Sequence, residues 1–102
     1  MIPHKQAYPA NPEEAETLAI SALGHIAADP QMLGRFLNAT GLDAATLRAA
    51  AAEPGFMSAV TGFLMNNEPA LLAFTANEGL RPEAVSRAHA LLTSNEATGW
   101  ND

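Results

Sequence analysis

The sequence predicts an all-α protein, a compact bundle of five to six short helices, and three observations carry that expectation. Apolar residues recur at the 3, 4 and 7 spacing that gives a helix one buried face. Proline stands where helices start, and Gly41 and Gly79 stand where they stop. Valine, isoleucine and the aromatic residues never alternate with polar ones at the period of two that a half-buried strand needs. Roughly 70 residues fall in helical pattern, against a typical third of a globular chain.

The first helix is expected from Pro12. Asn11 is a suitable N-cap, Pro12 brings a pre-set φ to the first helical position, and Glu13, Glu14 and Glu16 complement the positive helix end. Its apolar face is Ala15, Leu18, Ala19, Ala22, Leu23 and Ile26. Asp29-Pro30 ends it, because the residue before proline is driven out of the helical region, and the same pair opens the second helix. Met32, Leu33, Phe36 and Leu37 are its apolar residues, and Gly41 closes it as a left-handed C-cap. Leu42, the cap Asp43 and Leu47 then have the spacing of a hydrophobic staple that sets the entry angle of the third helix. The fourth is expected from Glu53-Pro54 to Asn66, with Phe56, Met57, Val60, Phe63, Leu64 and Met65 on more than one side. Such a helix belongs in the centre. The fifth runs from Pro69 to about Glu78 and stops at Gly79-Leu80. The sixth runs from Pro82 to Thr93, with Ala84, Val85, Ala88, Leu91 and Leu92 on its buried face.

The grammar of helix, glycine stop and restart appears twice, and the helix before it repeats as well. Leu18, Ala22 and Ile26 correspond to Phe56, Val60 and Leu64, and Asp29-Pro30 to Glu68-Pro69 when one loop residue is gapped. Two pseudo-repeated three-helix units are thus a natural arrangement, packed face to face because two units are too few for a solenoid. A single helical domain over residues 12–93 is the expected organisation. A flexible arm over 1–11 and a flexible tail over 94–102 carry the only tyrosine, Tyr8, and the only tryptophan, Trp100.

The chain has 102 residues, 48% of them hydrophobic and 16% charged, which places it among globular proteins and leaves room for one domain. No run approaches the roughly 18 to 20 apolar residues of a membrane-spanning helix, and Met1 to Tyr8 has Lys5 but no apolar stretch of a secretory signal. A cytoplasmic protein with no membrane partner is expected. The absence of cysteine excludes disulfides, thiol catalysis and thiolate metal sites. Five Lys and Arg against eleven Asp and Glu, a net charge of −6, disfavour partners whose affinity comes from phosphate neutralisation.

A set of residues also carries a family resemblance. Ala15-Glu16-Thr17-Leu18-Ala19 to Leu23, Ala27-Ala28-Asp29-Pro30, Leu33-Gly34-Arg35-Phe36-Leu37, Thr40-Gly41-Leu42-Asp43, Leu47-Arg48 and Glu53-Pro54-Gly55-Phe56 together resemble a small bacterial family, the domain of unknown function number thirty-five seventy-two. The resemblance spans residues 13 to 93, and its specific part is the Leu-Gly-Arg-Phe-Leu block followed by Thr-Gly-Leu. It implies a compact helical bacterial protein and carries no activity, ligand or catalytic residue.

Candidate chemistry in the sequence is thin. Residues 29–52 fit a helix-turn-helix template with Gly41 in the turn, yet Ala44, Ala45, Ala49, Ala50, Ala51 and Ala52 leave Arg48 as the only basic side chain on the would-be recognition helix. Leu37 also stands four residues before the turn glycine, where such hairpins need a small residue. His4, His25 and His89 have no second ligand at metal-binding spacing, and His25 with Asp29 reads as a surface pair on one helix. Ser86 and His89 lack the glycine pattern of a nucleophile elbow, and no glycine-rich phosphate loop exists. No catalytic, cofactor-binding or metal-ligating residue is expected. The leading expectation is a noncatalytic protein-interaction module or small adaptor, with a protein partner or a second copy of the chain, no cofactor and no nucleic acid. Its alternatives are a helix-turn-helix nucleic-acid binder over 29–52 and a small enzyme without a recognisable site. Met32, Met57, Met65 and Phe74 exceed what one face of each helix needs, and they are the candidate partner surface.

Overall fold

The computed structural model describes residues 8–53 and 55–101, with side chains described through residue 94. Its elements are α1 (Pro12–Ala27), α2 (Pro30–Thr40), α3 (Ala44–Ala51), α4 (Phe56–Met65), α5 (Glu68–Glu78) and α6 (Pro82–Asn101), with no strand among the described residues. The all-α expectation holds.

Caps set the element boundaries. The Asn11 side chain accepts from the Glu14 N–H at 2.9 Å, and the Asp29 carboxylate from Gln31 and Met32. Asp43 and Thr46 form a reciprocal capping box at the start of α3. Both stop glycines are left-handed, Gly41 at φ 78° and Gly79 at φ 69°. Beyond each, a leucine N–H reaches back five residues in the Schellman pattern, Leu42 to the Leu37 carbonyl at 3.1 Å and Leu80 to the Thr75 carbonyl at 2.8 Å.

Three expected boundaries move. α4 begins at Phe56, behind Gly55 at φ 90°, because a left-handed residue cannot continue a helical turn; Pro54 lies outside the described residues. The N-cap of α5 is Asn67, whose side chain accepts from the Ala70 N–H, and Glu68 is already helical. α6 passes Thr93 and runs to Asn101. The expected tail over 94–102 is therefore helical backbone through Asn101, while the Trp100 side chain lies outside the described residues. The arm expected over 1–11 is held from Tyr8 onward: Pro9 is buried, its carbonyl accepts from Arg87 Nε at 3.1 Å, and the Arg87 guanidinium lies 5.9 Å from the Tyr8 ring centre. Residues 1–7 are outside the described residues.

α1, α4 and α6 pack on one another and form the centre, with α2 laid on α1 and α4, α5 on α4 and α6, and α3 on α4. α4 touches every other helix, and six of its ten residues are buried: Phe56, Ser58, Val60, Thr61, Phe63 and Leu64. The expected face of α1 is buried as read, with Leu23 partly covered, and so is that of α6, with Leu91 partly covered. Alanine supplies much of the core, at 15, 19, 22, 70, 84 and 88. Backbones approach closely over such positions, and the rings of Phe36, Phe56, Phe63 and Phe74 supply the remaining volume.

With Asn67 as the cap, the two halves align without the gapped residue. Asp29 and Asn67, Phe36 and Phe74, Gly41 and Gly79, Leu42 and Leu80 all stand 38 positions apart, as do Leu18 and Phe56, Ala22 and Val60, Ile26 and Leu64. The ring contacts obey the same offset. Phe36 of α2 meets Phe63 of α4 edge-on at 5.4 Å, and Phe74 of α5 meets His25 of α1 edge-on at 5.6 Å. Adding 38 to one member and subtracting it from the other turns the first pair into the second, so the second helix of each half lays a ring on the first helix of the other. The third helices differ: α6 buries Ala84, Val85, Ala88 and Leu92, whereas α3 has no fully buried residue.

Candidate interaction groove

The expected partner surface does not form as read. Phe74 is fully buried against His25, Met32 and Met57 are half-buried against the core, and only Met65, 41% exposed at the end of α4, faces solvent. Phe74 is thus corrected from surface to core: the small residues around the centre leave space that a ring fills. Sequence counting registered a surplus of large apolar side chains but not the space that takes them.

The chemical candidates also resolve. His25 turns toward Phe74, its Nε2 buried and without a hydrogen-bond partner, while Asp29 spends its carboxylate on the α2 cap. No hydrogen bond or ion pair joins the two, so the expected surface pair is absent. His89 Nδ1 lies 2.9 Å from the buried Thr61 hydroxyl. The same hydroxyl lies 3.1 Å from the Ser58 carbonyl, so Thr61 ties α6 to the backbone of α4. Ser86 is exposed, and no hydrogen bond connects it to His89. Among the described residues no three His, Asp or Glu side chains gather as metal ligands, and no helix is long and apolar enough to cross a membrane. His4 lies outside the described residues. In the helix-turn-helix segment, α2 packs chiefly on α1 and α4, and α3 on α4.

What the packing does create is an open groove of about 580 Å³ between the second half of α2 and the α4–α5 junction, lined by Arg35, Ala39, Thr40, Ala59, Phe63, Asn66 and Asn67. The helices place each group. Arg35 and Ala39 stand one turn apart on the exposed side of α2, Ala59 and Phe63 one turn apart on α4, so the floor is apolar. The amides at the rim are half-committed. Asn66 donates through Nδ2 to the Gly62 carbonyl at 3.0 Å, which leaves Oδ1 as an acceptor, and Asn67 accepts through Oδ1 at the α5 cap, which leaves its NH₂ as a donor. The Thr40 hydroxyl donates back to the Phe36 carbonyl at 2.9 Å. Arg35 is exposed, and among the described residues no hydrogen bond or ion pair engages its guanidinium. The groove lining holds a cation, one free donor and one free acceptor over an apolar floor, with no carboxylate.

A family model described as a protein of unknown function matches residues 12–95, nearly the whole described chain. The chain belongs to that family, DUF3572. The Leu33 to Leu37 block and Thr40-Gly41-Leu42, on which the resemblance rests, include two groove residues, Arg35 and Thr40. No curated protein and no solved structure matches the chain. The groove is not legible in the sequence because its lining comes from two separate segments, residues 35–40 and 59–67, which only the packing of α2 on α4 brings together. Arg35, a lone cation on α2, was the one available signal.

Proposed function

We propose that this DUF3572 member is a noncatalytic protein-interaction module, a small cytoplasmic adaptor that holds a segment of a partner protein in the groove between α2 and α4. The observation that carries this reading is the groove itself: an apolar floor of Ala39, Ala59 and Phe63 rimmed by the Arg35 guanidinium and two asparagine amides that keep a free donor and a free acceptor. Its volume falls in the range of about 300 to 1,000 Å³ common to binding sites. An enzyme is disfavoured because the groove lining offers no carboxylate or imidazole as a general base, and the Thr40 hydroxyl donates to the Phe36 carbonyl. Duplex nucleic acid is disfavoured by the alanine face of α3 and the acidic balance of the chain.

Site-specific photo-crosslinking tests the reading. A photoreactive residue at Ala39, inside the groove, should trap a discrete partner in cells, while the same residue at Asn77, its exposed equivalent in the other half, should not. Equal labelling from both positions, or none from Ala39, would remove the groove from consideration.

A further inference from the structure

Resting on that reading, we propose that the segment the groove holds presents an aspartate or glutamate side chain to Arg35, next to a small apolar residue that sits over Ala39, Ala59 and Phe63. Three observations point to this occupant. The groove's only charge is a guanidinium with no partner among the described residues, and guanidinium prefers carboxylate, which it meets through two parallel hydrogen bonds. The amides beside it leave one acceptor, Asn66 Oδ1, and one donor, the Asn67 NH₂, which match the N–H and C=O of a peptide unit.

The third observation is the pseudo-repeat. The core positions of the two halves match in character, but the groove positions do not: 38 residues away, Arg35 becomes Ala73, Thr40 becomes Glu78, Phe63 becomes His25 and Asn67 becomes Asp29. One face therefore offers a cation without acids, and the equivalent positions of the other offer acids without a cation. An acidic segment distinguishes them by attraction to one and repulsion from the other. The chain's net charge of −6 does not reverse this preference, because exposed charges are screened within about 8 Å at physiological salt.

The test is selection from a displayed library of random twelve-residue peptides on the full chain, followed by titration of the enriched peptides. Expected are sequences with Asp or Glu beside a small apolar residue, bound about tenfold more weakly by Arg35→Ala. Arg35→Glu should lose them and regain binding when the peptide's acid is exchanged for lysine. Arg35 and Ala39 are exposed, so these variants keep the fold, which circular dichroism checks. Enriched peptides without an acid, bound equally by Arg35→Ala but lost on Ala39→Phe, would overturn the acidic occupant and leave the groove as the interaction site. Peptides indifferent to both substitutions, or no enrichment at all, would overturn both. A dimer in sedimentation that Ala39→Phe dissociates would assign the groove to a second copy of the chain and also overturn the proposal.

Discussion

Gly41 and Gly34 sit in the same helix region, yet substitutions there should act with opposite sign. Nothing lies within 4 Å of a Cβ added at either residue, so sterics with neighbours do not separate them. Backbone conformation does. Gly41 holds φ 78°, where a β-branched residue is strained, and Gly41→Val should lower stability by more than about 1 kcal/mol in thermal denaturation. Gly34 is helical and exposed, so Gly34→Ala should raise stability by about 0.5 to 1 kcal/mol through helix propensity alone. An unchanged melting temperature for Gly41→Val would mean that the left-handed cap contributes nothing. Thr61 supplies a polar counterpart. It is fully buried and hydrogen-bonds His89 Nδ1, so Thr61→Val conserves shape but leaves that ring nitrogen without its partner, costing about 1 to 2 kcal/mol by chemical denaturation.

At the scale of elements, α4 and α3 should mark the two ends of the stability range. Phe56→Ala or Phe63→Ala empties a ring position on the helix that every other helix touches, and each should cost about 3 to 5 kcal/mol by urea titration, enough to unfold a domain this size. The amides of α3, which buries no residue fully, should exchange with solvent well before those of α4, and equal protection would contradict the packing. Most of this order was legible in sequence, because the apolar surround of α4 and the faces of α1 and α6 are patterns within one helix. What was not legible involved competition between nearby signals. Glu68-Pro69 resembled the Asp29-Pro30 cap, but the short Asn67 amide reaches the Ala70 N–H and takes the cap one residue earlier. The sixth helix is expected to end at Thr93, ahead of Ser94 and Asn95, which are weak helix formers. No proline intervenes there, and elongation of an existing helix adds one hydrogen bond per residue fixed, so α6 continues to Asn101.

For the whole molecule, charge decides more than shape. The groove could not be read from the chain, since its walls meet only after α2 packs on α4, whereas the acidic balance is visible in the composition and acts wherever the chain folds. It leads to the expectation that the protein does not bind duplex DNA specifically at physiological salt. Specific binding typically reaches roughly 10⁻⁸ M or tighter and draws on several phosphate contacts together with base-edge donors. Five Lys and Arg in the whole sequence must supply both, and among them Arg87 is already engaged with Pro9 and Tyr8, while Arg35 stands in the groove. On α3 only Arg48 remains, among exposed alanines that offer no hydrogen bond. A dimer doubles the acids with the bases and gains nothing. Selection against random duplexes near 150 mM salt should therefore return no consensus. A recovered consensus whose binding disappears on Arg48→Ala would reverse the argument and make residues 29–52 the functional site.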